Sequence, residues 1–419
     1  MRILILTQWY PPEPALLLQE LAHTLLGLGH DVTVLTGYPN YPTGDLYPGY
    51  RVRFCQREVV AGVPVVRVPL YPDHSRSSTR RFLNYLSFAI SSSLLAPWLV
   101  DAPDVIFAYH PPLTIGLPAI LLGRFWRVPF VYQVQDLWPE TLAATGMLNN
   151  RRILNWVGRF AHCVYVRAHT ILVISPGFKS NLVQKAVPES KIQFIPNWVD
   201  TETYRPVEPD PDWARDLGLS ERFNVMFAGN IGEAQGLETV IEAARLLRDL
   251  RDVQWVIIGD GIALRKLKDS VREYGLDNVR FLGRRRADEM SKLYALADVL
   301  LVHLKDDPLF RITIPHKTLA YLAVGKPILV AVAGNTAEFV TGEGAGVACP
   351  PSDPAGLAAT VESLRQVDRR ELERMGAAGL LAAKTKYSRM RIISQIEGVL
   401  RSAIKREADQ CTVASESGR

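Results

Sequence analysis

The chain has 419 residues, of which 48% are hydrophobic and 22% charged, and its formal net charge is +5 at pH 7. This length allows two domains with cores of their own, and so modest a charge does not indicate nucleic-acid binding. The four cysteines have neither CxxC spacing nor a neighbouring His cluster, so no zinc or disulfide framework is indicated and a reducing compartment is favoured.

The first half of the chain alternates strand and helix patterns. It opens on the apolar run ILIL, which predicts a strand and is too short before Pro-Pro for a signal peptide. Apolar runs predict strands at residues 2–7, 31–36, 63–68, 105–109, 130–134, 170–174 and 192–195. Amphipathic runs predict helices between them, for example at 15–28 and 153–168. Such alternation predicts a parallel sheet with helices on both faces.

Two segments of the first half differ from this pattern. Residues 37–53 are rich in Gly, Pro and Tyr, and we interpret them as a functional loop. Residues 82–100 carry no charge, follow Arg76, Arg80 and Arg81, and approach the length of a membrane span. Serines, an asparagine and a proline dilute their hydrophobicity. A helix lying on a membrane surface or packed on the sheet is therefore favoured over a true span.

The second half repeats the alternation. Strands are predicted at residues 225–228, 253–258, 279–282, 299–304 and 328–332. Residues 195–213 are Pro-rich and acidic, which is typical of a linker. The chain becomes helical after residue 351, and the polar segment from 409 predicts a disordered tail.

A strand, a glycine-containing loop and a helix follow one another in residues 223–247. The loop contains Gly229, Gly232 and Gly236. Backbone N–H groups at a helix start attract anions, and glycines let a bulky anion approach the backbone. The pattern fits a phosphate-binding loop and fits an ordinary turn between strand and helix equally well.

Further loops of the second half fall at the same predicted sheet edge, because each follows a strand. They contain Gly259, Asp260 and Gly261; Arg311, Pro315, His316 and Lys317; and residues 333–336. Each loop alone could be a tight turn or a solvated basic patch. Together they favour a phosphate-bearing ligand.

Polar residues also end strands of the first half. Gln135, Asp136 and Glu140 come just after one strand, and His110 ends another. A carboxylate in this position could orient a sugar hydroxyl or a leaving group, although Asp136 could equally cap a helix and a single His is more often structural. The first strand is followed by no GxGxxG, which counts against a nicotinamide-dependent dehydrogenase, and there is no P-loop, GxSxG or HExxH.

Several motifs resemble those of the family-4 retaining glycosyltransferases, in particular the subgroup that builds O-antigen, capsule and exopolysaccharide. They are PNYPTG, YHPPLTIG, QDLWPE, VISPGF, IPNWVD, GNIGEAQGLE, GDG, PLFRITIPHK and AVGKPIL, in order over residues 1–400. The resemblance implies the GT-B fold: α/β, with two Rossmann-like domains facing across a cleft. The implied parts are an acceptor-side domain at 1–200, a nucleotide-sugar domain at 201–385, a helix at 386–405 returning to the first domain, and a disordered tail at 406–419.

The resemblance also implies roles for individual residues. Those implied to line the donor diphosphate are Gly229, Asn230, Ile231, Gly232, Gln235 and Gly236. Those implied to lie under the nucleotide are Gly259, Asp260 and Gly261, and those implied to approach the phosphates and sugar are Arg311, Pro315 and Lys317. Gln135 and Asp136 would sit by the reacting sugar, with His110 as a further catalytic candidate.

The implied reaction transfers a sugar from a nucleotide-sugar, usually UDP-linked, to a lipid-linked or glycan acceptor in cell-envelope polysaccharide biosynthesis. It needs neither metal nor cofactor, and we expect a cytoplasmic protein, peripheral on the inner face of the membrane. The sequence departs from the family pattern in three places. Ile312 and Ala320 stand where the family has the two glutamates of an E-x7-E motif, and the first Pro-Pro-Glu lacks the glycines that usually follow it. Glu233 places a negative charge in the glycine loop. The loss of the glutamate at Ala320 favours the alternative of a catalytically impaired homologue that binds a nucleotide or a partner. A sugar-nucleotide epimerase of the same fold is a further alternative, against which the missing cluster of catalytic carboxylates and His counts.

Overall fold

The chain forms two units. The computed structural model describes residues 1–75 and 77–416, with residues 406–416 described by their backbone alone. The first unit comprises Met1–Ile195 and the chain from Ile393 onward, and the second comprises Pro196–Ile392. The boundary after Ile195 lies within the predicted linker. Arg76, one of the three arginines before the predicted membrane-surface segment, lies outside the described residues.

An eight-stranded sheet forms the centre of the first unit. Its strands are β1 (Arg2–Leu6), β2 (Asp31–Gly37), β3 (Gln56–Val60), β4 (Val63–Val68), β5 (Val105–His110), β6 (Phe130–Val134), β7 (Thr170–Val173) and β8 (Ile192–Phe194). Their order is β3-β4-β2-β1-β5-β6-β7-β8, and every pair is parallel except β3 with β4. All seven predicted strands are confirmed. The sequence pattern missed β3, whose side chains alternate between half-buried and exposed.

Helices cover the faces of this sheet, as the alternation predicted. They are α1 (Leu16–Gly27), α2 (Ser78–Leu99), α3 (Gly116–Trp126), α4 (Glu140–Ala144), α5 (Arg151–Arg167) and α6 (Pro176–Gln184). The predicted helices at 15–28 and 153–168 correspond to α1 and α5. The Ser77 hydroxyl caps α2 by accepting a hydrogen bond from the Arg80 N–H.

The uncharged segment at 82–100 lies in α2. Of the helices in the described part of the chain, this one alone has the length and apolar composition of a membrane span, which is weak evidence because core helices share both properties. Phe88 is fully buried, whereas Trp98 is 84% exposed and Leu94 65% exposed. The helix thus packs on the unit along one side and keeps large apolar side chains exposed on another. Its attachment to a membrane stays a prediction.

A six-stranded parallel sheet forms the centre of the second unit. Its strands are β9 (Phe223–Ala228), β10 (Val253–Ile258), β11 (Val279–Gly283), β12 (Val299–His303), β13 (Ile328–Ala331) and β14 (Gly346–Ala348), in the order β11-β10-β9-β12-β13-β14. Its helices are α7 (Pro211–Leu217), α8 (Glu238–Leu246), α9 (Leu264–Glu273), α10 (Met290–Ala295), α11 (Pro308–Arg311), α12 (His316–Ala323), α13 (Asn335–Gly342), α14 (Pro354–Gln366) and α15 (Arg369–Thr385). The five predicted strands are confirmed, and the short edge strand β14 was missed.

The last helix, α16 (Arg389–Glu416), belongs with the first unit from Ile393 onward. His30 Nε2 lies 3.0 Å from Glu397 Oε1 and joins this helix to the residue before β2. The helix continues past residue 406, where the sequence predicted a disordered tail, and no Gly or Pro lies between Gly398 and Gly418. The final part of that predicted tail, 417–419, lies outside the described residues.

Candidate active site

Two glycine loops of the second unit hold each other in place. The Gly229 N–H donates to the Ile258 carbonyl at 3.0 Å, and the Ile231 N–H donates to the Asp260 carbonyl at 2.8 Å. Gly229 and Ile231 were predicted to line a diphosphate, and their amides join the loop after β9 to the loop after β10. Asn230 and Asp260 are exposed beside them, so their side chains remain accessible to a ligand.

The glycines after β10 are required by this contact between the loops. A Cβ on Gly259 would lie 1.8 Å from the Gly229 carbonyl oxygen, and a Cβ on Gly261 would lie 2.4 Å from the Ile231 carbonyl oxygen. Both residues have positive φ, +137° and +157°. The sequence interpretation assigned these glycines to the close approach of a ligand, but the packing of one loop against the other already demands them.

The glycine loop turns back on itself before α8. The Gly232 N–H donates to Gln235 Oε1 at 3.3 Å, and Gly236 takes a left-handed conformation with φ of +57°. His303 Nδ1, at the end of β12, lies 2.5 Å from the Gln235 carbonyl oxygen. Glu233 is exposed in the tight turn between Gly232 and Gly236. The structure therefore brings the predicted loop residues together, and the Gln235 side chain accepts a hydrogen bond from within the same loop.

A buried cation lies under this loop. Within the described residues, Lys317 Nζ has no hydrogen-bond partner, and it is inaccessible to solvent. It lies 3.8 Å from the centroid of the Phe227 ring and 2.9 Å from the position that a Cβ on Gly229 would take. Burial lowers the pKa of Lys317 from 10.5 to about 7. Pro315 precedes α12 at its N-terminal cap, so the lysine also lies in the first turn of that helix.

Arg311, the second predicted cation, is paired with a carboxylate. Its Nε and Nη2 donate to the two carboxylate oxygens of Asp306 at 2.9 and 3.0 Å. This bidentate pair already neutralises the guanidinium that was predicted to approach the phosphates. Ala320, where the family has a glutamate, is buried at 4% exposure in α12, and Ile312 follows α11.

In the first unit the three predicted catalytic residues come together at the ends of β5 and β6. The Gln135 N–H donates to the His110 carbonyl at 3.3 Å. His110 is fully buried, and neither of its ring nitrogens has a hydrogen-bond partner among the described residues. Burial lowers the pKa of His110 to about 3, so its imidazole is neutral at physiological pH. Burial raises the pKa of Asp136 to about 6.

Glu13 is a buried carboxylate to which the sequence interpretation gave no role. Its carboxylate accepts hydrogen bonds from the N–H groups of Tyr10, Asn40 and Tyr41, at 3.1, 2.9 and 2.8 Å. It thereby ties the loop after β1 to the loop at 37–53. Burial raises the pKa of Glu13 to about 7, against the lowering effect of those hydrogen bonds and of Arg67. The signal was the Pro-Pro-Glu motif, which was interpreted only through its lack of glycines.

The aromatic cluster is the second feature that the sequence interpretation missed. It consists of Trp9, Tyr41, His74, Tyr85, His110 and Trp138, whose rings form a continuous series. Burial raises the pKa of Tyr41, and the charge of the nearby Asp136 raises it further. In the described ranges, 1–75 and 77–416, no group of three or more His, Cys, Asp or Glu residues is placed to hold a metal ion.

Comparison with known proteins identifies both units. Residues 15–198 match the glycosyl transferase 4-like domain, and residues 222–366 match the glycosyl transferases group 1 domain. One match falls in each parallel-sheet unit, so the chain is a glycosyltransferase with the GT-B fold. It belongs to family 4 of these enzymes, and the family predicted from its motifs is confirmed.

The relatives include proteins of cell-envelope polysaccharide synthesis. WcaI of Escherichia coli K12, named as a colanic acid biosynthesis glycosyl transferase, is 29% identical over 315 residues, which cover 73% of this chain and 76% of WcaI. WbjE of Pseudomonas aeruginosa, named as a glycosyltransferase, is 26% identical over 64% of this chain and 68% of its own. HepE of Anabaena, solved in complex with UDP, shares the fold with a TM-score of 0.73 at 18% identity, over 96% of this chain and all of HepE.

Proposed function

We propose that this enzyme transfers a sugar from a UDP-linked donor to a lipid-linked or glycan acceptor in cell-envelope polysaccharide biosynthesis, with retained anomeric configuration and without a metal ion. One observation carries the donor assignment: the buried Lys317 ammonium beside the glycine loop. A cation buried without a counter-charge is costly, and a diphosphate would provide that charge. The UDP and UDP-glucose complexes of HepE support the same donor.

Lys317 would act on the leaving group. As the bond between the anomeric carbon and the diphosphate breaks, negative charge grows on the diphosphate oxygen. A bound diphosphate raises the pKa of the neighbouring ammonium, so the lysine stays protonated and stabilises that charge in a site that excludes water. The acceptor oxygen bonds to the anomeric carbon from the same face, and its proton leaves with the diphosphate oxygen.

Asp136 and His110 would hold the reacting sugars on the first unit. Above pH 6 the Asp136 carboxylate is ionised and can accept a hydrogen bond from an acceptor hydroxyl. The neutral His110 imidazole can donate one hydrogen bond and accept another, which suits uncharged sugar hydroxyls.

The same proposal places the enzyme on the cytoplasmic face of the membrane. Trp98 and Leu94 are exposed on α2, and Arg80 and Arg81 lie near its start. Large apolar side chains combined with basic residues suit attachment to anionic lipid.

Donor binding and donor hydrolysis test this proposal directly. UDP affinity would be measured by calorimetry, and UDP release would be measured with a panel of UDP-sugars, for the wild type, Lys317→Met and the control Lys292→Met. Lys292 is exposed on α10. We expect binding and slow hydrolysis in the wild type and the control, and loss of both in Lys317→Met. Binding without release from any sugar would favour the impaired homologue, a changed sugar without UDP release would favour the epimerase, and no UDP binding would overturn the donor assignment.

A further inference from the structure

A cavity of about 540 Å³ lies at the amino edge of the first unit's sheet. It is formed where α3 and α5 end and where β6, β7 and β8 begin. Arg124 and Arg167 come from the two helix ends, Phe130 begins β6, and Lys191 directly precedes β8. These strands are parallel, so their starts meet at the edge opposite to the one that carries the candidate active site. The cavity is therefore separate from that site.

The cavity is lined by cationic side chains. Arg124, Arg167 and Lys191 line it, and none of the described residues that line it is Asp or Glu. Glu189, two residues before Lys191, pairs with the Lys179 ammonium at 2.8 Å. Burial lowers the pKa of Lys191, so a bound anion would stabilise its charged form. An anion in the cavity would thus meet positive charge without a competing carboxylate.

Part of this positive charge serves the end of α5. Lys191 Nζ donates to the carbonyls of Val166 and Ala168, at 2.7 and 3.0 Å. Arg167 Nη1 donates to the Cys163 carbonyl at 3.3 Å. The end of a helix carries about half a negative charge, so the ends of α3 and α5 together offset about one of the three positive charges. The cavity keeps a net positive charge, which favours a bound anion over cations that serve the helix ends alone.

Exposed apolar side chains lie at the same edge as the cavity. The helices α2, α3 and α5 all end there, because each precedes a parallel strand, and α3 packs against the other two. The last turn of each helix holds an exposed apolar residue: Trp98 is 84% exposed, Phe125 63% and Val166 40%. The three helices contain arginines but no Asp or Glu. Apolar side chains combined with basic ones are typical of a surface that contacts anionic lipid.

We propose that this cavity binds the phosphate of an anionic phospholipid. Arg124, Arg167 and Lys191 surround the phosphate, and Phe125 and Val166 contact the acyl chains. A guanidinium binds a phosphate through a planar pair of donors. A free phosphate would use the same cations but would leave the apolar side chains in water, and this favours the lipid. The inference rests on the membrane attachment in the proposed function and adds a defined lipid site outside α2.

A short-chain lipid tests the cavity without a membrane. Dihexanoylphosphatidylglycerol would be titrated below its micelle concentration by calorimetry, beside dihexanoylphosphatidylcholine and inorganic phosphate. We expect phosphatidylglycerol to bind the wild type at least about 10-fold more tightly than either of the other two. The choline cation would repel the arginines, and inorganic phosphate lacks the acyl chains. Inorganic phosphate that binds as tightly would make the cavity a site for free anions and overturn the lipid assignment.

Variants assign the binding to the cavity. Arg124→Gln and Arg167→Gln should each weaken binding of the soluble phosphatidylglycerol by about 10-fold or more. The matched control is Arg152→Gln, since Arg152 is exposed at the start of α5 and does not line the cavity. It should leave this binding within about 2-fold and weaken binding to phosphatidylglycerol vesicles by no more than about 5-fold, the share of one surface arginine. UDP affinity and donor hydrolysis should stay at wild-type values in all three variants, which shows that they are folded.

The outcomes separate this inference from the function on which it rests. Equal losses in the cavity variants and in Arg152→Gln would leave only a general surface charge and overturn the site, while the membrane attachment would stand. A wild type that binds the soluble phosphatidylglycerol but no vesicles would support the cavity and count against the attachment. A wild type that does not bind the soluble phosphatidylglycerol would overturn the inference. UDP binding and donor hydrolysis report separately on the transfer reaction.

Discussion

Replacing Lys317 by methionine is expected to stabilise the protein and to abolish nucleotide binding at the same time. The lysine holds its ammonium in an inaccessible position over the Phe227 ring, and burial lowers its pKa from 10.5 to about 7. Methionine has a similar length and no charge, so it can fill the same space against Phe227. The substitution removes the cost of burying the charge and also removes the group proposed to bind the diphosphate.

The size and pH dependence of the gain follow from the two pKa values. The unfolded chain keeps the lysine proton up to about pH 10.5, whereas the folded chain loses it near pH 7. At about 1.4 kcal/mol per pH unit between them, burial costs at most about 5 kcal/mol. The contact with Phe227 offsets roughly 1–2 kcal/mol of this cost. The methionine variant should therefore gain about 3 kcal/mol below pH 7, and the gain should vanish as the pH rises towards 10.5.

Chemical denaturation at pH 6, 8 and 10, with and without UDP, measures both effects. Lys292→Met serves as the control and should unfold like the wild type. UDP at 100 times its dissociation constant should stabilise the wild type by about 2.7 kcal/mol and leave Lys317→Met unchanged. A methionine variant that is less stable than the wild type at pH 6 would refute the burial argument. A variant that UDP still stabilises would place the nucleotide elsewhere.

Three further predictions concern other parts of the molecule. Gly259→Ala should cost a few kcal/mol of stability and weaken UDP binding at least 10-fold in calorimetry, because its Cβ meets a carbonyl oxygen 1.8 Å away. The control Gly342→Ala, whose Cβ has open space around it in the described structure, should change neither stability nor UDP binding. The transfer rate of the wild type should rise as the pH increases through about 6, where the Asp136 carboxylate ionises. Asp136→Asn should slow transfer at least 10-fold and remove this rise. An unchanged pH–rate profile in the variant would exclude this role for Asp136. High salt or alkaline carbonate should release the enzyme from anionic vesicles. Trp98→Ser should weaken the binding of the enzyme to these vesicles, because Trp98 is exposed on α2. Retention of the enzyme on the vesicles until detergent is added would make α2 a true span.

The strands were predictable because nearly all of them are buried. A strand buried on both faces is an unbroken apolar run, and β6 and β10 match their predicted bounds residue for residue. The two missed strands lie at sheet edges. In β3 the charged Arg57 and Glu58 interrupt the run, and β14 has only three residues, none of them fully buried. Edge strands need less apolar surface, so their sequences carry a weaker signal.

The site was less predictable because its interactions are long-range. Gly259 looked like a residue that admits a ligand, but its constraint is the carbonyl of Gly229, in another loop. The tripeptide Pro315-His316-Lys317 looked like a solvated basic patch or an anion site, and only the packing over Phe227 shows that the lysine is buried. Arg311 was indistinguishable from Lys317 in the sequence, although Asp306 neutralises it.

The chemistry of the two sheet edges differs in a way that bears on which unit holds which substrate. The second unit places a buried ammonium beside glycine loops, and a diphosphate is the part of a nucleotide-sugar that requires a cation. The first unit places aromatic rings, the neutral His110 and the carboxylate of Asp136 at its edge, and a carboxylate there would repel a diphosphate.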